Sequence, residues 1–195
     1  MNANIKLTLC FLFLLLTVTG CSFTTLEKEP VENTAFLKVS SHLEINNTNK
    51  SLILYDYKDT LASDGLYYAS WRIGDPKPYE NSDGDTVDLY DAQLYLLLGE
   101  FSNVENAQRS KDSWLERGRS NYEISGEEEI VCNDQTYQMI TYTFSGANNP
   151  YARGISAFGA YENNAVCVEL TCQEDFSEDL TAILTEFLEN CTYRE

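Results

Sequence analysis

The chain has 195 residues, 43% of them hydrophobic, with 13 Lys+Arg against 31 Asp+Glu and a formal net charge of −18. This hydrophobic content excludes a disordered chain, and the length suits one domain with a proper core rather than two. The acid excess excludes nucleic acid as a partner, because binding it needs clustered cations that displace counterions. Metal cations and basic proteins or peptides are favoured at long range, and solubility alone is the plainer reading of such a charge.

Met1–Lys6 carries one positive charge, at Lys6, and Leu7–Val18 is an apolar run. A positive start followed by an apolar core is the secretory signal pattern. The run is shorter than the roughly 20 residues that span a bilayer as a helix. It ends in Val18-Thr19-Gly20-Cys21, small residues directly before a cysteine, and so resembles the bacterial lipoprotein signal, the lipobox. The resemblance implies that residues 1–20 are removed and that Cys21 becomes the N-terminus, with diacylglycerol on its sulfur and palmitate among its acyl chains. Two or more chains make a stable anchor. The competing reading is an ordinary signal peptide that leaves Cys21 as a structural thiol. A lipid-anchored domain would sit on the extracytoplasmic face of the cell membrane, held there by its lipid against repulsion from anionic headgroups.

Residues 21–35 read as the lipidated N-terminus and a flexible tether, polar and without apolar period, and residues 36–195 as a single extracytoplasmic domain. Leu37, Val39, Ser41, Leu43 and Ile45 alternate with mostly polar neighbours and predict a strand. Ser51–Tyr57 predicts a second strand, and Leu66–Ile73, after the turn Ser63-Asp64-Gly65, a third. Gly74–Asp85 is a loop by its Pro, Gly, Asn and Asp content. Asp91–Phe101 returns to strand, with Leu94–Leu98 reading as buried on both faces.

Ser102 and Glu105 predict a capping box opening a helix over about 103–117. Val104, Ala107, Lys111, Trp114 and Leu115 form its inner face, and Gly118 ends it. Short-looped antiparallel strands follow at 128–132, 136–144, 154–161 and 165–172. A second capping box, Asp175 and Glu178, predicts a helix over about 176–190, with Leu180, Ile183, Leu184, Phe187, Leu188 and Cys191 as one apolar stripe laid on the sheet. The expected fold is therefore α+β, a curved antiparallel sheet with two packed helices. That order of elements resembles the PsbP/Mog1 type of α-β-α sandwich. Leu94–Ile124 also resembles the first half of a SPOR domain, which implies binding of denuded peptidoglycan strands, although hairpins follow it where a second strand–helix repeat would stand.

Of the six cysteines, Cys10 leaves with the signal and Cys21 takes the lipid. Cys132, Cys167, Cys172 and Cys191 remain, and outside the cytoplasm disulfides are their default reading. The element order brings Cys191 towards Cys132 or Cys167 and leaves Cys172 at the opposite end. A zinc site competes, but no C-x₂-C pair is present.

Catalytic chemistry is thinly supplied. The single histidine, His42, has no nucleophile elbow beside it and reads as structural. No phosphate-cradling glycine motif is present. Glu80, Asn81, Asp83, Asp85, Asp88 and Asp91 offer the oxygen ligands that calcium takes. Against the calcium-loop template, the glycine falls at Gly84, two places early, and Ala92 stands where the bidentate Glu belongs. Asn81, Asp83, Asp85 and Asp88 are thus calcium candidates, with a solvated turn as the plainer reading. Tyr67, Tyr68 and Trp71, with Tyr79 and Tyr151 in loops, could form a stacking surface for a sugar or a protein, or simply cover the sheet. The expected role is non-catalytic binding of a protein or cell-envelope partner, with the membrane engaged through Cys21. The alternatives are a metal-dependent hydrolase using the 80–91 carboxylates, and a glycan- or peptidoglycan-binding module.

Overall fold

The structure, a computed structural model, describes residues 36–58, 65–144 and 149–194. The signal, Cys21 and the tether lie outside the described residues, as do the first two residues of the turn at 63–65 and the loop residues 145–148.

Among the described residues the chain forms twelve strands and two helices, an α+β fold. Seven strands make one antiparallel sheet, in the order β3 (Ile53–Lys58), β4 (Leu66–Ile73), β7 (Ala92–Glu100), β11 (Asn164–Cys172), β10 (Arg153–Tyr161), β9 (Gln135–Thr143) and β8 (Glu123–Cys132). Its middle strand, β11, is buried at all nine positions. Alternation sorts its side chains. Val166, Val168 and Leu170 enter the main core with Leu94, Leu96, Leu98 and Trp71, whereas Cys167 joins Leu97, Ile140, Tyr142 and Phe158 on the other face.

Each face has its own cover. Helix α2 (Leu180–Glu189) lies on the main-core face with its predicted stripe Leu180, Ile183, Leu184, Phe187 and Leu188 buried. Phe187 meets Trp71 edge to face at 4.8 Å, a geometry worth about 0.5–1.5 kcal/mol beyond burial. A three-stranded sheet, β1 (Phe36–Lys38), β2 (Leu43–Asn46) and β12 (Cys191–Tyr193), shares that core through Leu37, Val39, Leu43 and Ile45. Helix α1 (Val104–Asn121) takes the opposite face, over β10 and β11.

Several boundaries differ from expectation for local reasons. The single strand predicted over 37–45 is two, because the backbone N–H groups of Val39 and Ser40 both donate to Leu43 O and reverse the chain. Within 74–85, Lys77–Glu80 (β5) pairs with Thr86–Leu89 (β6) as a separate hairpin. Asn103, not Ser102, caps α1, its side chain accepting from Asn106 N at 2.9 Å. Gly118 does not end α1. It is buried within the last turn, where a Cβ would meet Ile140 Cδ1 at 2.8 Å. Val104 is 60% exposed and off the inner face, where Ala107, Leu115 and Gly118 are buried, Trp114 packs partly buried and the Lys111 side chain is 14% exposed. Asp179 caps α2, accepting from Thr181 N and Ala182 N, so the helix starts later than the Asp175–Glu178 box implied.

Cys132, Cys167, Cys172 and Cys191 are all buried, and none is bonded to another among the described residues. Cys167 and Cys191 lie on opposite faces of the sheet, which removes that pairing. Cys191 sits beside the β8–β9 turn, its carbonyl accepting from Asn133 Nδ2 at 2.5 Å, and so neighbours Cys132. Cys172 stands at the far end, opposite Ala92 and Arg153.

Candidate functional site

Positions 68, 70 and 72 of β4 and 93, 95 and 97 of β7 share the α1 side of the sheet. Helix α1 packs on β10 and β11, and at the β3–β4 end of the same face the side chains cover one another. Arg72 is central there. Its guanidinium carbon lies 4.5 Å from the Tyr55 ring centroid, 4.9 Å from Tyr95 and 5.7 Å from Tyr90. Each is within reach of a cation–π contact.

Hydrogen bonds fix this arrangement. Arg72 Nη2 donates to Tyr95 OH at 2.9 Å, and Nη1 to Trp71 O at 3.2 Å. Tyr95 OH and Tyr151 OH both donate to Gln93 Oε1, at 3.4 and 3.1 Å. Tyr90 is positioned from the end of β11, where Gln173 Nε2 donates to Tyr90 O at 2.7 Å. Burial raises the pKa of Tyr90 and Tyr151, and the Arg72 charge opposes the rise at both. Tyr55 remains 48% exposed, at a register shift in β3 that turns its ring onto Arg72. One turn of the pleat away, Lys58 Nζ lies 5.1 Å over the Tyr68 ring, and Tyr68 OH reaches Asp56 Oδ2 at 3.5 Å. Among the described residues Arg72 and Lys58, like Lys38, Lys50, Arg117 and Arg153, form no ion pair, whereas Lys77, Arg109, Lys111, Arg119 and Arg194 do.

Deeper on the same face, Glu169 is 4% exposed. Its Oε1 accepts from Tyr142 OH and, at 3.1 Å, from Tyr122 OH, while Ser156 Oγ donates to Tyr142 OH at 3.3 Å. Burial pushes its carboxyl up to about 7, against the pull of the two phenols. Tyr122 stacks on Tyr142 at 4.0 Å and closes over the group. A carboxyl shut in this way holds α1 to the sheet and is out of reach of a substrate.

The predicted site residues separate. Tyr68 and Tyr151 belong to the Arg72 face, although Tyr151 is buried and presents only its hydroxyl to Gln93. Trp71 is 2% exposed, a core residue on the other face, and so is no stacking surface. Tyr67 is half-buried against the main core, its OH reaching Glu100 Oε2 at 3.4 Å. Tyr79 lies in the β5–β6 hairpin, opposite Val87. Tyr55, Arg72, Tyr90, Gln93 and Tyr95 were missed. The available signal was the period of two through Tyr68, Ser70 and Arg72, repeated in Gln93 and Tyr95.

The calcium candidates do not converge. Asn81 Oδ1 accepts from Asp83 N and Asp85 N at 3.0 and 2.9 Å, Gly84 takes φ +84°, and Asp88 stands on β6 opposite Pro78. The stretch is a side-chain-stabilised tight turn. Among the described residues no group of three or more His, Cys, Asp or Glu side chains is placed to hold a metal, which also removes a four-cysteine zinc site. A cleft of 480 Å³ between Gly74, Asp91 and Asp175–Glu178 is bridged by its own ion pair, Lys77 Nζ to Asp91 Oδ1 at 2.5 Å.

No protein-family model matches the chain, and no curated protein matches it. Among solved structures it is similar to cyanobacterial PsbP (CyanoP) from Synechocystis sp. PCC 6803, with 14% identity, a TM-score of 0.39 and coverage of 75% of this chain and 94% of that one. It is also similar to a protein of Bacteroides thetaiotaomicron VPI-5482, at 11% identity and a TM-score of 0.43, over 78% of this chain and 45% of the other. A third similarity is to the extracellular domain of PknH from Mycobacterium tuberculosis, at 13% identity and a TM-score of 0.37, over 66% of each chain.

Proposed function

We propose that the protein is a lipid-anchored extracytoplasmic binding module without catalytic activity, which engages a cell-envelope component through the β3–β4–β7 face. The observation that carries this reading is Arg72, a cation free of any described carboxylate in a chain of net charge −18, bracketed by three tyrosines of which one, Tyr55, is about half exposed. Aromatic and arginine side chains held by one another present contact area at little further cost in side-chain entropy. The signal pattern ending at Cys21 supplies the membrane anchor in this reading, and the polar stretch to residue 35 gives the domain reach.

The test has two readouts. Cys21→Ser should move the protein from the membrane fraction to the soluble fraction. In detergent, purified protein should co-sediment with washed envelope material, and the double variant Tyr55→Ser/Arg72→Gln, with its melting temperature checked, should lose that association. Equal sedimentation of variant and wild type, or none by either, rejects the binding face; a membrane-bound Cys21→Ser protein rejects the anchor.

A further inference from the structure

The β3–β4 ribbon carries a second aromatic-seated cation in line with the first. Lys58 lies over Tyr68, and Arg72 over Tyr55 and Tyr95. Lys58 pairs with Tyr68 across the strands, and Tyr68 and Arg72 are on the same face of β4. Four residues of strand separate the two stations, about 13 Å. Each pairs a point of positive charge with the edge or face of a phenol ring. Between them lie a buried serine hydroxyl, Ser70, and the planar amide of Gln93 on the neighbouring strand.

This surface matches one ligand chemistry better than others. A ring with axial C–H groups stacks on an aromatic face, a carboxylate takes the two-pronged guanidinium, and the hydroxyls of a sugar meet the phenols and the amide. The net charge of −18 opposes a dense polyanion such as a nucleic acid or polyphosphate. Repulsion from distant carboxylates is screened beyond roughly 8 Å at physiological ionic strength, so an isolated carboxylate at Arg72 is tolerated, whereas at the Lys58 station it must share the cation with Asp56, which is bonded to the Tyr68 hydroxyl at 3.5 Å. We propose that the face binds an oligosaccharide bearing one carboxylate per disaccharide, with Arg72 and Lys58 taking successive carboxylates and Tyr55, Tyr95 and Tyr68 taking the rings. This inference rests on the binding-module reading and names its ligand class.

The experiment is calorimetric titration of purified protein in detergent with two probes of similar length, hyaluronan hexasaccharide and the uncharged chitohexaose. The acidic probe should bind about tenfold more tightly, the scale of one charge-assisted hydrogen bond. Arg72→Gln should remove that preference, Arg72→Lys should restore part of it, and Lys58→Gln should weaken binding of the acidic probe. Equal affinity for both probes, no binding of either, or a preference that survives Arg72→Gln overturns the proposal. Envelope sedimentation that still depends on Tyr55 and Arg72 would then leave the binding-module reading standing with another ligand.

Discussion

Glu169 couples stability to pH. Its carboxyl titrates near pH 7 in the folded protein because burial disfavours the charge. Unfolded, it titrates near the ordinary value of 4.5. Between those values the folded state holds the extra proton, so stability is greatest below the lower value, declines as pH rises through the window and levels off above the upper one. The difference is worth about 3 kcal/mol. Glu169→Gln removes the titration and keeps an oxygen for Tyr122 and Tyr142. The variant should therefore gain on wild type by up to about 3 kcal/mol between pH 5 and pH 8, read from urea melts. A flat difference across that range would show the carboxyl to be solvated. No periodicity marks this residue, since a glutamate in a run of Val, Cys, Leu and Thr looks like the polar side of a strand. Arg72 was equally hidden, as its meaning depends on Tyr55 and Tyr95 from neighbouring strands. By contrast, Leu180 to Leu188 were legible because one helix face needs only its own spacing.

At the scale of elements, α1 shows where local signals compete. Ser102, Asn103 and Glu105 offer two overlapping caps, and the backbone takes Asn103, leaving Ser102 Oγ to accept from Asn106 Nδ2 at 3.0 Å. Gly118 carried a stop signal, but its role is proximity: with no Cβ, the last turn of α1 settles against Ile140 and Phe158. Gly118→Ala should gain about 1 kcal/mol of helix propensity and lose more to overpacking, typically about 1–3 kcal/mol. The expected net effect is a modest loss. Ile140→Val removes the methyl that clashes, so the double variant should be more stable than the two single effects predict, a coupling that a double-mutant cycle measures. Additive effects would place α1 farther from the sheet. The strands were read within a residue or two wherever they end at tight turns such as Asn133–Asp134, both at positive φ. They were misread at Val39–His42, where no Gly or Pro announces the reversal.

For the whole molecule, the two edges of the large sheet are unlike. β8 presents Glu127, Glu128 and Glu129, the charged guard expected of a strand open to other chains, whereas β3 presents Ile53, Tyr55 and Tyr57, each more than a third exposed. The sheet's middle has a different consequence. Within the large sheet the first half of the chain supplies β3, β4 and β7, the second supplies β8 to β11, and the two sets pair only where β7 meets β11, Leu96 opposite Val168. Pairing on either side is nearer in sequence: hairpins, and β4 with β7 across the β5–β6 hairpin. Folding of this sheet should therefore proceed as two rapid local assemblies followed by a slower closure of this seam, because the loop it closes is the longest within the sheet. The β11 side of this seam, buried at all nine positions, has no local route to solvent. Its amide hydrogens should exchange only through complete unfolding, giving one shared free energy for Leu94–Leu98 and Val166–Leu170, while amides of β3 and β8 exchange faster. In a hydrogen-exchange experiment the β7 and β11 amides would thus report the stability of the entire domain, and their separation into two rates would reveal halves that fold and open independently.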